Sequence, residues 1–239
     1  MSVCCESVER ELEPSVVLSY GDTHVELATT RESLALHADA WDELASQARH
    51  ALPMTSHSWI ASEFERDCYR GTAWECLLAR TDGRLVGTLP VLLERAKFAP
   101  WKCIVARVPF TWHTVANDLA VAEGREKDVV PLLLEGLRRA VPGWFCLTLD
   151  RAPEDSPILR CFEQPGRRFC MLKQFESNAA YLPIVGDYET FLGSLHKKFR
   201  TNVRRWQRKI NQLADAEYVT AVGDQATGEH MADFAEMEA

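Results

Sequence analysis

Four side chains that can hydrogen-bond a ligand or exchange a proton fall within seven residues: Trp112, His113, Asn117 and Asp118, in the segment FTWHTVAND (110–118). The segment follows the strand-like run WKCIVARVPF and precedes an apolar helix, the usual address of an active-site loop in an α/β protein. His113 or Asp118 can serve as a general base near neutral pH. The plainer reading makes His113 a loop histidine and Asp118 a turn cap. Asp150, closing the run WFCLTLD, is a third candidate. His57, with a serine on either side, fits a helix start better than catalysis. Cys103 and Cys146 have no neighbouring base in the sequence to activate a thiolate.

A second set of chemically able residues lies in Asp187 to Leu213, DYETFLGSLHKKFRTNVRRWQRKINQL. Lys197, Lys198, Arg200, Arg204, Arg205, Arg208 and Lys209 set against Asp187 and Glu189 give this stretch a charge of +5. The whole chain carries −8, so the remainder sums to −13. Like charges at i, i+4, such as Arg200 with Arg204, repel by about 0.2–0.5 kcal/mol per pair. A solvated face tolerates that; a phosphorylated ligand, either a donor cofactor or a nucleotide-linked acceptor, would reward it. Lys198, Arg200, Asn202, Arg204 and Arg205 are the residues expected to hold such a ligand.

The elements that must position these groups are legible in the apolar pattern. Leu192, Leu195, Phe199, Val203, Trp206, Ile210 and Leu213 recur at steps of three or four, which predicts one face of a single helix, buried, with the cations exposed. Asp187 stands where an N-cap belongs. Upstream, residues 1–20 read as a loose leader closed by Pro14 and Gly21, and HVELAT as a short strand. A helical run then starts at Thr30 or Arg31, with Leu34, Ala38, Trp41, Leu44 and Ala45 on one face, and Pro53 ends it. A second helix covers about Ser56 to Tyr69 and carries Trp59, Ile60, Glu63, Phe64 and Asp67.

WECLLAR and RLVGTLPVLLER flank Asp82-Gly83, a strong hairpin signal, with Pro90 marking a bulge or an edge position. WKCIVARVPF is a strand, Arg125 to Ala140 a helix ended by Pro142-Gly143, and WFCLTLD a strand. Pro157 to Glu163 is a short helix, and CMLKQF and AAYLPIV are strands. After the basic helix come AEYVTAVG, a strand, and a helix from Glu229 to Met237. The order is that of a mixed-sheet α/β protein.

Length and composition allow one large domain or two small ones, with the 46% apolar and 26% charged content of an ordinary globular chain. No apolar run approaches the roughly 18 residues of a membrane span. The N-terminus has no basic n-region or apolar h-region, so a cytoplasmic location is expected. Eight cysteines without a CxxC pair are expected to be reduced and mostly buried, and no metal site is expected. The acidic total argues against bulk nucleic-acid binding. The oligomeric state is left open.

Through residue 185 the element order resembles the GNAT acyltransferase fold. LHKKFRTNVRRWQRKINQL followed by AEYVTAV is similar to the basic helix and strand of the Fem-like aminoacyltransferases and CelD-type acetyltransferases, which look like two GNAT units in tandem. Trp41-Asp42-Glu43-Leu44 with Ser56-His57-Ser58-Trp59, and the hairpin ending in Leu89-Pro90, are similar too. The resemblance implies a first GNAT-like unit over 21–185 and, over 186–239, the opening helix, strand and helix of a second, incomplete one. It implies an acyl-CoA-dependent N-acyltransferase, with acetyl-CoA as the expected co-substrate. The acceptor would be an amine or a sugar-linked amine, in bacterial polysaccharide or cell-envelope synthesis. The pyrophosphate loop of that fold has no good copy here; Gly124-Arg125-Glu126 occupies its slot. The alternative is a catalytically incomplete module that binds an anionic ligand or RNA through the basic helix 196–209.

Overall fold

A computed structural model describes residues 15–98, 101–162, 171–174, 185–213, 220 and 228–238. The chain divides into two units, Met1–Glu176 and Ser177–Ala239. The first is built on a six-stranded sheet in the order β1 (Ser15–Tyr20), β2 (Thr23–Ala28), β3 (Ala73–Thr81), β4 (Arg84–Phe98), β5 (Trp101–Arg107) and β6 (Trp144–Thr148). All neighbours are antiparallel except β5 and β6, which are parallel. The sheet is mixed, as the sequence pattern predicts.

Local chemistry explains where elements begin and end. Asp82 and Gly83 both take positive φ, 50° and 77°, which joins β3 to β4 in a tight hairpin. Thr30 caps α1 (Arg31–Ala35), its hydroxyl accepting from Ser33 N while the Ser33 hydroxyl accepts from Thr30 N. The chain breaks at Leu36–His37 before α2 (Ala38–Gln47), so the predicted single run is two helices. Ser56 caps α3 (His57–Phe64), which ends five residues before the predicted Tyr69; a separate helical turn covers Asp67–Tyr69.

The last six residues of the expected leader are a strand. Ser15–Tyr20 forms β1, because Gly21, at φ +61°, makes the turn of a hairpin with β2 and does not end a tail. Residues 171–174, inside the predicted strand CMLKQF, are not a strand. Residues 179–184 of AAYLPIV lie outside the described residues, as does AEYVTAVG apart from Thr220.

Alternation along the strands sends residues to two apolar layers. Val25, Leu77, Leu89 and Val91 pack with Val129, Leu133 and Leu137 of α4 (Glu126–Ala140). Cys76, Leu78 and Leu85 on the other face meet Trp41, Leu44 and Ile60 of α2 and α3. The Trp41 indole N–H donates to Thr55 O at 2.7 Å, so the largest buried side chain leaves no stranded donor. Burial also raises the thiol pKa of Cys76 well above its ordinary value. Among the described cysteines, Cys76 and Cys161 are buried, Cys103 and Cys146 half-buried and Cys68 exposed. The expectation that most are buried therefore holds for Cys76 and Cys161, in part for Cys103 and Cys146, and fails at Cys68.

β4 runs for 15 residues because it serves two partners in succession. Its second half, Leu92–Phe98, pairs with β5. Its first half bonds residues 120–122 instead, Thr88 N to Ala120 O and Ala122 N to Val86 O, both at 2.9 Å. Pro90 falls between the two partners. It pairs with Cys76 on the β3 side and has no N–H to strand on the other. The anticipated irregularity at Pro90 is thus a change of partner; the register shift of this hairpin lies between Ala79 and Arg80.

α4 lies so close to β4 that a Cβ at Gly87 would sit 2.4 Å from Val129 Cγ1. Val129 is β-branched and cannot rotate away at low cost. Gly87→Ala is therefore expected to destabilise the unit by about 1–3 kcal/mol in urea unfolding. An unchanged midpoint would show that α4 can retreat from the sheet.

Candidate functional site

Because β5 and β6 run parallel, their C-terminal ends at Arg107 and Thr148 lie side by side, and the two following loops meet. Val108 N donates to Thr148 O at 3.0 Å, and Asn117 N donates to Arg151 O at 3.2 Å. Arg151 Nη1 reaches Thr114 O at 3.0 Å, and its guanidinium stands 5.0 Å above the Phe110 ring. Arg107 Nη1 bonds Asp150 Oδ2 at 2.9 Å while its Nε bonds Glu94 Oε1 at 3.3 Å. Inside the loop, Asn117 Nδ2 donates to Pro109 O and the Thr114 hydroxyl accepts from Thr111 N.

The other flank of the loop is held from α3. Thr111 Oγ1 donates to Glu63 Oε1 at 3.2 Å, and the Tyr69 hydroxyl donates to Phe110 O. Glu63 is 2% exposed, with Arg66 Nη1 at 3.5 Å from the same Oε1. Its Oε2 has no hydrogen-bond partner among the described residues. Burial raises its carboxyl pKa above the ordinary value, against the opposing pull of Arg66, Thr111 and His113. Between these anchors Trp112, His113 and Val115 stand exposed, Trp112 at 92%.

The three residues singled out as possible bases are thus engaged differently. His113 is exposed at the loop tip, close enough to Glu63 for their charges to interact. Asp118 turns into the protein, its Oδ1 accepting from Leu119 N at 2.9 Å and from the Ser156 hydroxyl at 3.0 Å. Burial raises its pKa, and those two bonds oppose the shift. It lines a small cavity of about 10 Å³, the space of one water, together with His50, Thr55, Glu126 and Ile158. Asp150 is tied to Arg107.

The sequence places Glu63 on the second helix but assigns it no role in the site. The available signal was its place at i+3 from Ile60 and i−1 from Phe64, a carboxylate on an otherwise apolar helix face.

The predicted short helix from Pro157 is α5 (Pro157–Arg160). In the second unit the predicted single helix is two: α6 (Tyr188–Ser194) and α7 (Lys197–Ile210). Asp187 caps α6 as expected, accepting from Thr190 N at 2.8 Å. Leu195 then takes extended backbone, ψ 155°, and His196 caps α7 by accepting from Lys198 N. The break destroys the common phase of the seven apolar positions. Leu192 is buried, but Phe199, Trp206, Ile210 and Leu213 are exposed, which corrects the buried stripe.

The five proposed phosphate ligands do not converge either. Arg200 and Arg204 lie on one flank of α7, and Lys198, Asn202 and Arg205 lie roughly 150° away at 3.6 residues per turn. Arg200 Nη1 bonds Gly193 O and Leu195 O, at 2.5 and 3.2 Å, closing the end of α6. Arg204 Nη2 stands 3.5 Å from Glu189 Oε2.

Glu63 makes the first unit sensitive to pH in a definite direction. A carboxyl raised by burial favours its neutral form in the fold. Its contribution is complete below the unfolded pKa and is lost as pH rises through the folded one. Glu63→Gln fixes the neutral form, so its unfolding free energy is expected to fall less than the parent's between acid and neutral pH. Parallel urea-unfolding profiles for the two proteins would show that Glu63 is not desolvated.

No protein-family model matches the sequence, and no curated protein matches it. Solved structures of low identity do align. A ribosomal-protein-alanine N-acetyltransferase from Brucella melitensis biovar Abortus 2308 has 19% identity and a TM-score of 0.41, over 66% of this chain and 98% of its own. An aminoglycoside acetyltransferase from an uncultured soil metagenomic sample has 18% identity and a TM-score of 0.40, over 66% and 99%. A glucosamine-6-phosphate N-acetyltransferase from Arabidopsis thaliana has 17% identity and a TM-score of 0.35, over 64% and 99%.

Proposed function

We propose that the chain acts as an acyl-CoA-dependent N-acyltransferase, an acetyltransferase whose acceptor is an amine or a sugar-linked amine. The observation that carries the reading is the meeting of the 108–117 loop with residues 149–151 at the C-terminal ends of the parallel pair β5 and β6, where open α/β sheets place their ligands. On this reading His113, exposed beside buried Glu63, accepts the proton of the acceptor amine. Asp150 with Arg107 and Asp118 with Ser156 hold the two loops in register. The resemblance of the basic helix to the Fem-like and CelD-type enzymes supports the same reading and suggests a role in polysaccharide or cell-envelope synthesis.

The N-terminus of α4, the topological slot for a CoA diphosphate, does not fit that group. Arg125 is its N-cap residue and makes no side-chain cap. Glu126 and Asp128 occupy the first turn, at the positive end of the helix dipole where a diphosphate would sit. Arg125 itself points elsewhere, its Nη2 bonding Thr81 Oγ1 at 3.3 Å. Seven Lys and Arg side chains lie instead on α7, in the second unit. The same acidic helix start favours a second reading, a non-catalytic module that binds an anionic ligand through that helix.

Calorimetric titration with acetyl-CoA, followed by thiol-release assays on amino sugars, separates the two. Under the first reading His113→Ala lowers acetyl transfer about 100-fold or more and leaves acetyl-CoA binding intact. Binding of acetyl-CoA without turnover by the parent protein, abolished by Arg204→Ala, would establish the second.

A further inference from the structure

α7 presents two kinds of surface to solvent at once. Its fourteen residues carry seven Lys and Arg and no Asp or Glu. Phe199, Val203, Trp206 and Ile210 fall within an arc of roughly 60° at 3.6 residues per turn. Phe199 and Trp206 are 52% and 51% exposed, and Ile210 is 39% exposed. The cations fill the opposite half of the helix, with Arg200 on one flank of the apolar arc and Lys198 and Lys209 on the other. Among the described residues of this unit, nothing buries the two aromatic rings.

A surface of this form fits a partner that offers an apolar layer and an anionic layer within the width of one helix. We propose that α7 lies in the plane of an anionic lipid bilayer, with Phe199, Trp206 and Ile210 at the acyl boundary and the cations among the headgroups. A nucleic-acid duplex would neutralise the cations and leave both aromatic rings in water, and a single strand stacked on the rings would leave the cations on the opposite half of the helix unpaired. A second copy of the chain would set one helix of charge +7 against another. Among the described residues no helix is long and apolar enough to cross a membrane, so contact would be in the plane.

Co-sedimentation of the full chain with phosphatidylcholine vesicles, and with vesicles containing about one third phosphatidylglycerol, tests the proposal. Binding to the anionic vesicles is expected to be at least about tenfold tighter and to weaken as salt is raised. Phe199→Ser with Trp206→Ser is expected to lower it about tenfold or more, with the melting temperature unchanged because both rings are exposed. Arg205→Glu with Arg208→Glu leaves the apolar arc intact and is expected to abolish the preference for anionic lipid. Equal binding to both vesicle types, or undiminished binding by the Phe199/Trp206 variant, would overturn the proposal. So would tighter binding to single-stranded RNA than to vesicles, or a dimer in light scattering that the Phe199/Trp206 variant dissolves.

Discussion

The architecture of the first unit depends on β4 having more length than any one partner can cover. Fifteen residues of strand expose two runs of backbone donors and acceptors, and each run must be satisfied. β5 satisfies one and residues 120–122 the other. The chain between those partners has to leave the sheet and return to it, so the 108–117 loop is a direct product of strand pairing. Pro90, which carries no donor, sits where neither partner reaches. The candidate site thus arises from hydrogen-bond accounting before any catalytic requirement acts on it.

The loop so created is firmly held and yet exposed at its tip. Arg151 and Asn117 fasten it to the chain after β6, while Thr111 and Phe110 are fastened to α3 and the turn that follows. Exposed Trp112 and His113 are therefore displayed on a backbone whose two ends are fixed. The buried Glu63 carboxylate is the electrostatic counterpart of this arrangement. It is costly to ionise, and Arg66, Thr111 and His113 are the groups that lower the cost.

Features governed by neighbours in sequence were legible. The Asp82-Gly83 hairpin, the extent of α4 and the Asp187 cap follow from turn chemistry and periodicity within a few residues. The mixed sheet followed from the order of those elements. The failures share a cause. Gly21 looked like the end of a tail because its partner strand was read alone. The 187–213 stretch looked continuous because apolar spacing runs through Leu195 without registering its extended backbone. Glu63 is legible as a helix residue but not as part of the site, because Thr111, the group that makes it meaningful, lies 48 residues away. The density of cations along α7 suggests a cluster, whereas the helical screw distributes them over half a circumference.

The partner change along β4 also bears on how such a chain can diversify. Two pairings on either side of Pro90, Leu92 with Arg107 and Thr88 with Ala120, fix the points where the backbone leaves and rejoins the sheet. Neither pairing specifies the length or composition of what lies between. Insertions and substitutions in that interval would leave the register of every other strand untouched, so selection could remodel the exposed tip while the layers beneath it stay the same. The long strand with two short partners works as a socket, which lets the exposed tip change separately from foldability.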